Sequence, residues 1–165
     1  MKQADMDKGD GGDEGIDVIP ESLRAAASLV DQRQGDGDVL ARFVAALASF
    51  PARDALTGWL PALAASPDAA TAVIEHLAAT APAPGPAPDL LLRLGYVRFS
   101  AGDDDGARDA LARARGAAGG ADTAETLKLE AVLTQDPAAR RKLHNRILMM
   151  APTDRTAWET VLASR

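Results

Sequence analysis

The sequence contains no cysteine and few aromatic residues. Without cysteine the chain forms neither disulfides nor thiolate metal sites, which is compatible with a reducing compartment. Aromatic residues make up 4% of a chain that is 47% hydrophobic, and much of that hydrophobic fraction is alanine. Alanine has the best helix propensity, whereas strands favour β-branched and aromatic side chains. The composition therefore predicts an all-α protein with closely packed helices.

Long apolar runs and an excess of positive charge are also absent. No stretch approaches the roughly 20 apolar residues that a membrane span needs. The acidic N-terminus lacks the basic start and apolar run of a secretory signal. The formal net charge of −6 repels phosphate backbones. The sequence therefore predicts a cytoplasmic protein that binds neither membranes nor nucleic acid.

Compositional breaks divide the 165 residues into segments. Residues 1–16 are rich in Gly and Asp and poor in apolar side chains, which predicts a disordered acidic tail. Residues 81–88 are dominated by proline and alanine, which predicts a semi-extended linker. The expected organisation is helical hairpins over residues 17–80 and a second set of helical repeats over residues 89–165.

Between the breaks, apolar residues recur with helical spacing. Leu23, Ala26, Ala27 and Val30 lie at positions i, i+3, i+4 and i+7 of one predicted helix. Residues 40–48 repeat the stripe, and further helices are predicted at about 54–65, 68–79, 90–101, 105–115, 123–134, 138–150 and 154–164. Pro61 lies inside one of these segments and is expected to kink or split that helix.

The turns between the predicted helices recur at a nearly constant interval. They lie at Gly35-Asp36, Ser66-Pro67, Gly102-Asp103 and Gln135-Asp136, and their first residues are 31, 36 and 33 positions apart. At two of these turns a capping oxygen precedes a proline at the first helical position: Ser66 precedes Pro67, and Asp136 precedes Pro137. The interval is close to the period of about 34 residues of tetratricopeptide repeats, which are pairs of antiparallel helices.

The segment from Pro88 to Gly119 resembles the tetratricopeptide signature. Leu91-x2-Leu94-Gly95 corresponds to W-x2-L-G with leucine in place of tryptophan, and Ala107-x3-Leu111 corresponds to A-x3-F. Arg98 stands at the tyrosine position, which departs from the pattern. The resemblance covers roughly residues 20–165 and implies antiparallel helical hairpins stacked as a short solenoid, with Gly95 at a close helix–helix contact. A generic helical bundle with regular loop spacing is the alternative.

Motifs of catalytic and cofactor sites are missing. There is no GxGxxG, P-loop or GxSxG sequence. His76 and His144 are the only histidines, and they lie in different predicted helices without a second ligand beside them. The run Asp103 to Asp105 is better explained as helix caps than as a calcium site. The sequence therefore predicts no metal, no other cofactor and no enzymatic activity.

The tetratricopeptide resemblance implies a concave groove lined by the first helix of each pair. The residues expected to line it are Leu92, Tyr96, Phe99, Leu129 and Val132, with Glu125 at an edge. Arg141 belongs to a basic cluster in an acidic chain, together with Arg140, Lys142 and Arg146. This cluster is either a solvated helix face or a second docking site, for an acidic segment of a partner.

Some tetratricopeptide proteins hold a partner's C-terminal carboxylate with basic and amide side chains in this groove. The corresponding positions here hold Leu92, Tyr96, Asp122 and Thr126. These residues favour an apolar or amphipathic segment of another protein instead. The sequence thus predicts a non-catalytic interaction module, such as an adaptor, an assembly factor or a dedicated chaperone. An accessory domain or subunit of an enzyme complex is the alternative.

Overall fold

The computed structural model describes residues 18–163, and within this range all regular secondary structure is helical. The helices are α1 (Glu21–Gln32), α2 (Gly37–Ala48), α3 (Arg53–Trp59), α4 (Pro67–Ala79), α5 (Pro88–Ser100), α6 (Asp104–Ala117), α7 (Ala124–Leu133), α8 (Pro137–Met150) and α9 (Arg155–Ala163). The predicted all-α class is confirmed for these residues, whereas the predicted tail at 1–16 lies outside them. None of the helices between residues 18 and 163 has the length and apolarity of a membrane span.

Pro61 splits its helix, as predicted. α3 ends at Trp59, and the chain continues as a 3-10 turn over Leu60–Leu63. A proline inside a helix lacks the N–H group of the i→i−4 hydrogen bond, and its ring clashes with the carbonyl one turn earlier. α3 therefore has only 7 residues.

Two aspartates cap their helices as the sequence predicts. The carboxylate of Asp136 accepts hydrogen bonds from two backbone N–H groups at the start of α8. That of Asp103 accepts one from the N–H group of Gly106 at the start of α6. Both satisfy donors that have no partner within the helix. Ser66 precedes α4 as predicted, but its side chain makes no capping bond.

The second half of the chain consists of successive helical hairpins. α5 packs against α6, and α7 packs against α8. α6 contacts α7, and α8 contacts α9. α5 also contacts α7 directly, so the first helices of the two complete hairpins lie side by side, as the interval between their turns predicts.

The first half departs from this order. α4 contacts both α1 and α2, whereas α3 contacts only α4 and the 3-10 turn. α4 thus packs directly on the α1–α2 hairpin. α3 and the 3-10 turn add buried residues to the same core cluster: Ala55, Leu56, Leu60 and Leu63.

One core spans the proline-rich segment 81–88. Leu94 of α5 and Ala110 of α6 pack in the same cluster as the buried residues of α1 to α4. A second cluster joins α4 to α7, and a third joins α7 to α9. The segment 81–88 thus connects two helices, α4 and α5, that pack against each other.

Glu75 adds a polar connection between the halves. Its carboxylate, on α4, accepts hydrogen bonds from Arg98 of α5 at 2.8 Å and from two nitrogens of Arg113 of α6 at 2.9 and 3.0 Å. The hydrogen bond from Arg113 is the main cause that lowers the pKa of Glu75. One carboxylate therefore holds three helices together.

Candidate functional site: a groove along α5

A cavity of about 620 Å³ runs along α5 and opens to solvent. This volume is in the range of roughly 300–1,000 Å³ that is usual for ligand pockets. The lining residues from α5 are Asp89, Leu92, Arg93, Tyr96, Val97 and Ser100. Ala64, just after the 3-10 turn, and Glu125, in the first turn of α7, complete the lining. We call this cavity the α5 groove.

Helical spacing explains which residues of α5 line the groove. Leu92 and Tyr96 are four residues apart and therefore lie on one face of the helix. Leu92 is buried and forms part of the floor, whereas the Tyr96 residue is 39% exposed. Leu91 and Leu94 lie on the other side of α5 and are buried in the core. One helix thus supports the core with one face and presents the groove with another.

Gly95 sets the distance between α5 and its neighbours. A Cβ atom at this position would overlap the Cδ2 atom of Leu129 on α7. It would also lie 3.5 Å from the carbonyl oxygen of Ala107 and 3.6 Å from the Cβ atom of Ala110, both on α6. The predicted close helix–helix contact at Gly95 is therefore confirmed. This contact brings α7, and with it Glu125, to the edge of the groove.

Leu129 belongs to the core and not to the groove. Its side chain is fully buried and fills the space above Gly95. This corrects the expectation that Leu129 lies on a partner-binding surface, because a side chain without exposed area cannot contact a partner.

Phe99 and Val132 are exposed but lie outside the lining of the groove. Phe99 follows Gly95 by one helical turn on α5, and Val132 follows Leu129 by about one turn on α7. α5 and α7 both contact α6 and run in the same direction. The Gly95–Leu129 contact therefore places Phe99 and Val132 at a similar height along the two helix axes. They are further exposed apolar residues on the two helices that border the groove.

The polar edge of the groove is organised around Lys128. Its ammonium group donates to Glu125 at 2.8 Å and to Asp154 at 2.7 Å. These two hydrogen bonds, first the one to Asp154 and then the one to Glu125, raise the pKa of Lys128 to about 12. Burial, followed by the charge of Glu125, raises the pKa of Tyr96. The Tyr96 hydroxyl is therefore protonated at neutral pH and available as a hydrogen-bond donor.

Arg141 lies at a different site. It lines a cavity of about 400 Å³ between α8 and α9, together with Arg140 and Glu159. Arg140 is occupied by two hydrogen bonds to the carbonyl oxygen of Thr134. Arg146, another member of the basic cluster, donates to Asp122. The structure therefore does not bring Arg141 to the α5 groove.

Several lining residues were not predicted from the sequence. Asp89 lies one turn before Leu92, Arg93 directly follows Leu92, and Val97 directly follows Tyr96. A helical projection of α5 would have identified Asp89 and Arg93. Ala64 comes from the first half of the chain, and no sequence signal places it beside α5.

A cluster suited to metal binding does not occur among residues 18–163. The Asp103 to Asp105 run begins α6: Asp103 caps the helix and the next two residues form its first turn. His144 is buried in α8, and its Nδ1 atom has no hydrogen-bond partner. Burial is the main cause that lowers the pKa of His144. A neutral imidazole is therefore favoured in the folded chain.

Comparison of the chain with protein-family models, with curated proteins and with solved structures finds no match. The likeness to tetratricopeptide repeats therefore depends on the residues of the 88–119 segment and on the helix contacts around it. Inferences about function depend on the geometry of the groove.

Proposed function

We propose that the protein is a non-catalytic interaction module that binds an apolar or amphipathic segment of another protein in the α5 groove. The observation that carries the proposal is Tyr96, which is 39% exposed within a cavity of about 620 Å³. Tyrosine is a rigid, amphipathic side chain and is enriched among the residues that dominate binding energies.

The surroundings of Tyr96 support this use. Leu92 and Val97 supply apolar surface at the floor, and the Tyr96 hydroxyl supplies a donor. Phe99 on α5 and Val132 on α7 are further exposed apolar residues on the helices that border the groove. Contiguous exposed apolar groups on a chain often mark interaction sites. An adaptor, an assembly factor and a dedicated chaperone would each use such a groove in the same way.

We further propose that α5 to α9 form a short tetratricopeptide-like stack. The contacts of α5 with α6 and α7, and of α7 with α8, support this arrangement. So do Gly95 and the buried Ala107 and Ala114, because these small residues allow close helix packing. The first half, in which α4 packs on α1 and α2, serves in this proposal as a cap for one end of the stack.

Replacement of Tyr96 by alanine tests the groove. A partner is captured from the native host with the full chain, identified by mass spectrometry and titrated by isothermal calorimetry. We expect Tyr96→Ala to weaken binding by about 2 kcal/mol, or roughly thirtyfold, while the melting temperature changes little. Leu29→Ala is the matched control, because Leu29 is an exposed apolar residue on α1 (46%) outside the groove. It should leave the affinity unchanged.

Two results would contradict the proposal. Equal affinities of the wild type, Tyr96→Ala and Leu29→Ala would move the binding surface elsewhere, and Arg141→Ala would then test the cavity between α8 and α9. A large loss of thermal stability in Tyr96→Ala alone would assign Tyr96 to the core.

A further inference from the structure

We propose that the segment bound in the α5 groove is a cationic amphipathic one, in which a lysine or arginine lies beside the apolar residues. The inference rests on the proposed function of the groove and specifies the chemistry of its partner. It follows from the charges at one end of the groove and from the apolar floor next to them.

Two carboxylates lie at the same end of the groove. Asp89 is in the first turn of α5, and Glu125 is in the first turn of α7. The two helices lie side by side and both run antiparallel to α6, so their first turns are at the same end. Both residues line the groove and both are exposed. We call this pair the acidic end.

Asp89 forms no ion pair within the described part of the chain. None of the ion pairs found between residues 18 and 163 includes Asp89. Arg93 lies one turn further along α5, but the two side chains do not form an ion pair. Asp89 is therefore available to a cation that enters the groove.

The charge of Glu125 is compensated only in part. Its partner Lys128 is shared with Asp154, so two carboxylates face one ammonium group. The side chain of Asp154 is only 13% exposed, whereas that of Glu125 is 58% exposed. Of the two carboxylates that share Lys128, Glu125 is therefore the more exposed one, and it lines the groove. A basic side chain placed between Asp89 and Glu125 would gain attraction from both.

The apolar floor of the groove indicates that the partner segment also carries apolar residues. Leu92, Tyr96 and Val97 continue from the acidic end along α5. A segment with a basic residue at one end and aliphatic or aromatic residues after it matches this order of surfaces.

Arg93 allows an experiment to distinguish a cationic partner from an acidic one. It is the one positive side chain among the residues that line the groove. An acidic partner would use Arg93 and be repelled by Asp89 and Glu125. A cationic partner would show the reverse dependence.

The probes are peptides selected from a random phage-displayed library on the immobilised full chain. The selected peptides are synthesised with a fluorescent label and titrated by anisotropy. We expect them to combine lysine or arginine with aliphatic or aromatic residues. Asp89→Asn combined with Glu125→Gln should weaken their binding by about threefold to tenfold, since exposed charge pairs contribute modestly. Arg93→Gln should increase the affinity, because it removes the positive charge that repels a cationic segment, and added salt should reduce the affinity for the wild type.

A matched double variant controls for helix stability. Asp38→Asn combined with Asp68→Asn removes two carboxylates from the first turns of α2 and α4. Neither residue lines the groove. This variant undergoes the same loss of favourable charge at helix N-termini and should bind the peptides with wild-type affinity.

The remaining outcomes separate this inference from the proposed function. If Tyr96→Ala abolishes binding but the selected peptides are neutral or acidic, or if Arg93→Gln is the variant that weakens them, the cationic partner is overturned and the groove stands. A library that yields no peptide sensitive to Tyr96→Ala overturns both.

Discussion

At the scale of single residues, Gly95 is the position where added volume has the clearest expected effect. We expect Gly95→Leu to destabilise the chain by about 1–3 kcal/mol, because its side chain would overlap Leu129, which is fully buried. Gly116→Leu is the control: Gly116 is also helical, and nothing lies within 4 Å of an added Cβ atom. It should be neutral or gain up to about 1 kcal/mol from helix propensity. Chemical denaturation measures both, and equal effects would show that Gly95 is not a tight contact.

His144 should make stability depend on pH. Its pKa is lowered in the folded chain, mainly by burial and then by the charge of Arg140. The neutral form is thus favoured on folding, so the contribution of His144 is present above its ordinary pKa of 6.5 and is lost as the pH falls below that value. We expect the free energy of unfolding to decrease between pH 7 and pH 5 in the wild type and to decrease less in His144→Leu. His76→Gln removes the other histidine and should retain the wild-type decrease.

Predictions for single residues were confirmed where the cause is local, in the residue itself or in one close contact. Pro61 breaks its helix through its own ring, and Gly95 is small because one facing helix requires it. The sequence did not separate Leu92 from Leu129, because both lie at apolar helical positions. Only the packing of α7 over Gly95 shows that Leu129 is covered while Leu92 still reaches the groove.

At the scale of elements, α7 begins through a capping interaction between two threonines. The Thr123 side chain accepts a hydrogen bond from the N–H group of Thr126, and the Thr126 side chain accepts one from the N–H group of Thr123. We expect Thr123→Ala to cost about 1 kcal/mol, because the backbone donor of Thr126 loses its partner. Thr57→Ala removes a hydroxyl that donates within α3, at an exposed position, and should change stability by less than about 0.5 kcal/mol. Equal effects in urea denaturation would contradict this role of Thr123.

The bounds of α4 to α9 were predictable within about two residues, since apolar periodicity and the prolines at helix starts act locally, whereas α3 ends at Trp59 and not near residue 65. The order in which helices pack was less predictable. α4, and not α3, contacts α1 and α2, and nothing in the periodicity indicates this order. For the same reason the contribution of Ala64 to the groove could not be read from spacing: it depends on how the first half packs against α5.

At the scale of the whole molecule, the shared core and Glu75 couple the two halves. The two tryptophans report on them separately, since Trp59 lies in α3 and Trp158 in α9. We expect a single cooperative transition because the cluster that contains α1 to α4 also includes Leu94 and Ala110. In the variants Trp59→Phe and Trp158→Phe, the fluorescence of the remaining tryptophan should therefore change at the same urea concentration as the helical circular dichroism signal. A clear separation of the two midpoints would show that the halves unfold independently.

Because α5 lies between the core and the groove, binding of a partner in the groove should stabilise the folded chain. Any partner that binds only the folded chain stabilises it by mass action, by about 2.7 kcal/mol when its free concentration is a hundred times the dissociation constant. Because Leu91 and Leu94 place α5 in two core clusters, that stabilisation reaches both halves. Amide hydrogens throughout the molecule should then exchange more slowly with solvent in the complex. A chain without its partner would spend more time open to proteases, so its abundance in a cell would follow the supply of that partner.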